Sequence, residues 1–353
     1  YLCILSWFTN KTRCILLMTN FWYYITCKRK DNSAMQLIAS KVFVIFLYIA
    51  IGFAANKLRI LGTDSINHLI SLVLNITTPC LLVYSICGQS ICPDTFSNTI
   101  IIIFLSIFMF IIFGAISVKI SRLFDKKSND QQNVLSVAMV TCNSGFMGFP
   151  IARSVFGQVV LYYSVVQNIA CNLYLFIGCM IQMNIGDSKD DSGKIRAISK
   201  ETIIKPFKNV VTIVSICSVI VLFSGIRIPA PAMNFLSSIG ETTVPLSMII
   251  IGIQLGDCKL RGLITDKELI ISSLVCLVLE PALAIVTIWF LPLASVLKLT
   301  IALSFTYPSA VLSVALAAAE HKDTKLMSEA VAMSTMMSMI TLPIWIIVIG
   351  HLF

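Results

Sequence analysis

Apolar segments long enough to cross a bilayer recur ten times along this chain, and a proline-broken helix pair appears in both the first five and the last five. About 20 residues span a hydrocarbon core roughly 30 Å thick, and the segments fall near 37–56, 66–87, 98–118, 133–156, 159–184, 207–226, 240–257, 268–291, 298–319 and 327–350. Span two carries Asn75-Ile76-Thr77-Thr78-Pro79 and span four carries Asn143-Ser144-Gly145-Phe146-Met147-Gly148-Phe149-Pro150. In the second half, Glu241-Thr242-Thr243-Val244-Pro245 and Phe305-Thr306-Tyr307-Pro308-Ser309 occupy the matching places. An odd number of spans per half forces the second half to run upside-down, so the expected relation is an inverted repeat about an axis in the membrane plane. Two unrelated bundles of equal length are the plainer alternative, and the paired Thr-Thr-Pro and Thr-Thr-Val-Pro elements count against it. The expected class is an all-α polytopic membrane protein of ten transmembrane helices, a 5+5 inverted repeat with two broken crossover helices.

Composition agrees with that class. The chain is 57% hydrophobic and 12% charged, where a soluble domain carries about a quarter charged residues. A net charge of +9 raises the question of nucleic acid, but the distribution answers it. Seventeen lysines and arginines crowd the loops after spans one, three, five, seven and nine, from Lys57 and Arg59 to Lys322 and Lys325, against Arg153, Arg227 and Lys298 on the other face. The positive-inside rule then places the odd-numbered loops in the cytoplasm of a multi-pass plasma-membrane protein, with both ends of the ten-span unit outside. The partners expected are the lipid bilayer and a small solute, not nucleic acid.

The chain divides into residues 35–185, the polar linker 186–205 and residues 206–353. Residues 1–34 fit poorly, because Lys28, Arg29 and Lys30 would sit on the face the charge rule assigns to the exterior. They are expected to be an over-extended reading frame or an expression remnant ahead of Met35, the alternative being a short signal or anchor segment. Twelve cysteines are scattered without a C-x-x-C pair, so no metal site or other cofactor is expected. No G-x-x-x-x-G-K-[ST] loop, nucleophile elbow or H-E-x-x-H helix is present. The chain is therefore expected to be no enzyme, and any driving energy must come from gradients.

Interrupted helices at corresponding positions of two halves mark the binding site of a transporter. Span four should lose helical form around Asn143 to Phe149, where Gly145 and Gly148 add backbone freedom and Pro150 suits a new first turn. Unwound backbone is tolerated in a membrane only if buried in protein or lining a wet cavity, so Asn143, Ser144 and the freed amides are candidate ligand contacts, with a packing kink as the plainer reading. In span nine, Thr306, Tyr307 and Ser309 cluster around Pro308, and a second half running from Ser309 would offer free amides and about half a positive charge to a carboxylate. Tyr307 would stack on or cap the ligand, or else hydrogen-bond across the bundle.

Other polar residues inside spans leave two readings open. Ionisable groups in a membrane are functional by default, which makes Glu280 a candidate proton or sodium coupling site, or else an internally paired acid. Asn168 and Asn172 share a face of span five and either line the site or hold helices together. Ser334 and Ser338 have the same spacing and ambiguity. Snorkelling explains Lys41, and Glu241 reads as a helix-start acid.

The span-four motif with Gly157 behind it, the run Ile239-Gly240-Glu241-Thr242-Thr243-Val244-Pro245-Leu246-Ser247 followed by Gly252-Ile253-Gln254-Leu255, and the closing Ser338-Met339-Ile340-Thr341-Leu342-Pro343 together resemble the auxin efflux carrier family in its bacterial branch. The resemblance covers about residues 35–353. It implies the crossover fold of sodium–proton antiporter-like transporters, with spans four and nine crossing in a mobile domain and a scaffold built from spans one, two, six and seven. It also implies a permease for a small organic anion such as malate or malonate, and allows a homodimer. Asn143 matches the ligand-contacting asparagine of the family's first crossover. The second crossover departs, with Tyr307 before Pro308 and Ser309 after it where plant members have an asparagine beside the proline, which argues against an auxin-like aromatic substrate. The alternatives are a sodium-coupled symporter of the bile-acid-transporter type and a membrane ligand sensor that does not transport.

Overall fold

The computed structural model describes residues 40–60, 63–89, 94–186, 210–257 and 266–353; the extension 1–34 and linker residues 187–205 lie outside them. All regular structure among the described residues is helical. Among the described residues, eight helices are long and apolar enough to cross a membrane: α1 Ser40–Lys57, α2 His68–Cys87, α3 Thr95–Ser121, α4 Asn129–Phe156, α5 Gln158–Met183, α7 Ala230–Gly256, α8 Lys267–Trp289 and α10 Thr324–Leu352. Two shorter apolar helices, α6 Val210–Ser224 and α9a Ser295–Ser304, stand where spans six and nine were expected, and α9b Leu312–Ala319 follows the second. Such all-round apolar helices hold their place because a bilayer leaves backbone groups no partner except their own ladder.

Two expected boundaries change. Span seven begins ten residues earlier than expected, because Pro229 and Pro231 open a helix at Ala230 that runs through Asn234, Ser237 and Ser238 to a turn at Glu241-Thr242. Those hydroxyls read as loop in the sequence, but they lie on a helix. In α4 the gap is not Asn143–Phe149 but residues 141–143, after which the chain is helical again from Ser144.

Proline explains a recurrent detail. Three wide π turns, Val73–Thr77, Ser144–Gly148 and Val275–Leu279, each end two residues before a proline, at Pro79, Pro150 and Pro281. A proline ring clashes with the carbonyl four residues back and offers it no N–H; the widened turn relieves the clash without ending the helix. The carbonyl of Leu277, four before Pro281, instead accepts the Trp345 indole N–H at 2.7 Å.

Helix α4 forms the centre and is mostly buried, while α1 is mostly exposed and faces outward. Around α4 pack α3, α5, α8 and α10, with α9a against α5. A second group pairs α2 with α6 and α7. Helices α1 and α7 touch backbone to backbone, since a Cβ on Gly252 would lie 2.0 Å from the Ile49 carbonyl oxygen; small residues permit such close approach in membranes. A small separate cluster joins Phe146, at the start of the second half of α4, to Ile66 and Val73 of the α2 region and Ile250 and Ile253 of α7.

Candidate functional site

The two broken helices meet at their breaks. Helix α4 stops at Val140, and Asn143 caps its second half, its side-chain oxygen accepting the Phe146 N–H at 3.3 Å. The Asn143 carbonyl accepts the amides of Met147 and Gly148, and its own N–H donates to the Pro308 carbonyl at 2.8 Å. Asparagine serves here because its side chain replaces the missing acceptor of a helix start.

The span-nine break is longer, from Phe305 to Val311. The amides of Ser309 and Ala310, expected to face a ligand, are already used: Ser309 N–H donates to Ser334 Oγ at 3.2 Å and Ala310 N–H to Thr141 Oγ1 at 3.4 Å. The Ser309 hydroxyl donates to the Ala138 carbonyl at 2.5 Å, and the Thr306 hydroxyl to Leu303 at 2.6 Å. Tyr307 is buried with its ring on Gly148, where a Cβ would come within 2.6 Å, and its hydroxyl donates to the Gly148 carbonyl at 3.3 Å. Its hydroxyl is thus engaged across the bundle.

A cavity of about 240 Å³ lies against this crossing. Of the residues singled out in the sequence, Asn143, Ser144, Gly145, Asn168 and Asn172 line it. Gly148, Pro150, Thr306, Tyr307, Pro308 and Ser309 do not; they form the packed joint beside it. Lining residues that the sequence did not mark are Cys142, Cys171, Leu175, Ala310, Val311, Leu312 and Ala315, with Ile70 and Leu74 from α2 and Val211 from α6. These are apolar or thiol side chains, which carry no signal distinguishing them from ordinary core.

The polar equipment of the cavity is distinctive. Among the described residues, no lysine, arginine, histidine or acid lines it. Among the described residues, the amides of Gly145, Val311 and Leu312 donate to no acceptor, and they sit at the starts of the second halves of α4 and α9. Asn168 is 5% exposed and lines the cavity, and its side chain has no hydrogen-bond partner among the described residues. Asn172 both lines the cavity and holds helices together, donating to Thr212 Oγ1 of α6 at 2.8 Å.

Ties close one end of the bundle. Arg153 pairs with Glu241 at 3.1 Å and lies over the Tyr84 ring, the Lys41 ammonium donates to the Val155 carbonyl at 3.4 Å, and the Gln158 amide donates to Ser85 at 3.3 Å. Lys41 and Glu241 thus have specific partners beyond snorkelling and helix-start roles. The cavity is set apart from these ties: Gln158 and Asn168 are ten residues apart on α5, about 15 Å at 1.5 Å per residue. Glu280, 3% exposed, is outside the cavity; among the described residues its Oε1 has no hydrogen-bond partner and no ion pair forms with it. Cys276, one turn before it, reaches the Tyr307 carbonyl of the α9 break at 3.8 Å.

At the opposite end from the ties, Asp266 caps α8 and binds Lys127 at 2.6 Å. Partial burial pushes its carboxyl up, but the Lys127 hydrogen bond, the amides of Leu269 and Glu268 and the Lys127 charge outweigh this and hold it below the usual carboxylate value.

Known proteins share this chain's sequence over nearly its whole length. Residues 37–346 match the profile of a family described as membrane transport protein. An uncharacterized transporter of Methanothermobacter thermautotrophicus is 25% identical over 312 residues, covering 87% of this chain and 97% of the relative. The uncharacterized transporter MJ1031 of Methanocaldococcus jannaschii is 23% identical over 318 residues, covering 86% and 96%. Together with the apolar helices, these likenesses point to a multi-pass membrane transporter. The chain belongs to the membrane transport protein family, the family of the auxin efflux carriers that its motifs resemble.

Proposed function

We propose that this protein is a secondary-active carrier of a small organic anion, bound in the cavity at the crossing of α4 and α9 and released by alternating access. One observation carries the reading: among the described residues, two helix starts leave the amides of Gly145, Val311 and Leu312 without acceptors beside a buried Asn168 whose side chain has no partner there. Helix starts attract anions through free N–H groups and the macrodipole together. The matching broken helices in the two halves support a ten-helix inverted repeat. The asymmetry of lysine and arginine supports an orientation with both ends of that unit outside. In that orientation the Arg153–Glu241 ties close the outer face, and the cavity belongs to an inward-facing state.

Glu280 is the proposed coupling group. A buried carboxyl without a partner is costly in its ionised form, so binding and release of a proton or sodium ion there would be felt at the α9 break through Cys276. The test is a thermal-shift screen of the purified protein against small carboxylates, malate and malonate among them, with and without sodium. It is followed by uptake of any hit into proteoliposomes. Stabilisation by carboxylates and saturable uptake support the reading. Stabilisation without uptake would make the protein a ligand sensor, and stabilisation by no carboxylate would overturn the anion site.

A further inference from the structure

Resting on the reading that the cavity holds an anion, we infer that its ligand is a monoanion with an apolar body, a short branched or straight-chain monocarboxylate, and that dicarboxylates fit it poorly. The argument begins with charge. Among the described residues no cationic side chain lines the cavity, so the fixed positive character they supply comes from two helix starts. Each is worth about half a charge, which together balances about one negative charge and leaves a second uncompensated. A second carboxylate would have to sit buried against neutral amides and apolar side chains, where an unpaired charge is strongly disfavoured.

The apolar walls agree with the charge. The groups able to donate hydrogen bonds, at Asn143, Ser144, Gly145, Val311 and Leu312, gather at the crossing, with Asn168 and Asn172 beside them on α5. Leu175 lies two turns further along α5 from Asn168, and Leu74, Val211 and Ala315 complete the wall. A ligand with one carboxylate at the crossing and a hydrocarbon tail toward Leu175 meets both halves of this lining. Malate or malonate would place a charge or hydroxyl on the apolar half. The volume of about 240 Å³ admits about eight water-sized groups of roughly 30 Å³ each, enough for a five- or six-carbon acid.

The experiment is calorimetric titration of the purified full chain at neutral pH with isovalerate, 4-methylpentanoate, malonate, malate and the neutral isostere isovaleramide. The expected result is that the monocarboxylates bind at least about tenfold tighter than malonate, malate and isovaleramide. Tighter binding of malonate or malate would overturn this inference and leave the anion site standing. Equal binding of isovalerate and isovaleramide, or binding of none of the five, would overturn the anion site and the inference with it.

Discussion

In α4 the backbone leaves the helix at Thr141–Asn143, seven residues before Pro150; in α9 it leaves at Phe305 and Pro308 sits inside the gap. The same kind of sequence, a proline among hydroxyls and amides in an apolar helix, thus produces two different joints. A wide turn absorbs Pro150 with the helix unbroken, and the α4 gap is set by Asn143 acting as a cap. The α9 gap is held open from outside, by Ser334, Thr141 and Ala138. One joint is fixed by its own residues and the other by its neighbours. What they share is direct contact: Asn143 N–H donates to the Pro308 carbonyl and Ala310 N–H to Thr141 Oγ1.

The largest expected contrast is between the two prolines. Pro308→Ala permits the α9 helix to close over its gap and should lower transport by about tenfold or more, equivalent to about 1.4 kcal/mol or more of lost site geometry. Pro150→Ala should leave transport near wild type, because the helix is already continuous there. Equal effects in a proteoliposome uptake assay would break the distinction between the joints.

The glycines of the α4 motif offer a second contrast. A Cβ at Gly148 meets the Tyr307 ring at 2.6 Å, whereas nothing lies within 4 Å of one at Gly145. Gly148→Ala should therefore destabilise by about 1–3 kcal/mol through overpacking. Gly145→Ala should stabilise by about 0.4–1 kcal/mol by restricting the unfolded chain, while weakening ligand binding by filling part of the cavity. Melting temperatures of the two purified variants should move in opposite directions; a shared direction would show that the Tyr307 contact does not set the joint.

The smallest effect belongs to the base of α4, where Lys127 ties the preceding loop to Asp266. The folded carboxyl is held below its ordinary value, so its contribution is fully present above the unfolded value of about 3.9. It is lost as pH falls below that through the depressed folded value. Asp266→Asn keeps a capping side chain, and the pair is partly exposed, so the cost at neutral pH should stay under about 1 kcal/mol. The difference from wild type should shrink as pH drops below about 4. A gap that persists at low pH would mean that the residue acts through something other than its charge.

The sequence disclosed the joints more fully than the cavity. Asn143, Ser144 and Gly145 were visible because amide, hydroxyl and glycine are conspicuous in an apolar span, and they line the cavity. Tyr307, Ser309 and Thr306 were equally conspicuous, yet they spend their polar atoms inside the joint. A single chain carries no sign of which polar group already has a partner on a distant helix. Leu312, Ala315 and Val211 line the cavity as ordinary apolar residues, so their role appears only once α5, α6 and α9b are brought together. The early start of α7 was hidden for a related reason: Asn234, Ser237 and Ser238 look like loop until they are seen on one helix with Pro229 before it.

The central claim, that the crossing of the two joints holds the ligand, is tested most directly by titrating whichever carboxylate binds the wild type best into Asn143→Ala, with the melting temperature taken on the same sample. Loss of a hydrogen-bonding group from a charged ligand is worth about 1.5–3 kcal/mol. The expected result is an affinity lowered roughly ten- to a hundredfold in protein that still melts cooperatively. Wild-type affinity in a folded Asn143→Ala protein would contradict the account and remove the α4–α9 crossing from the site.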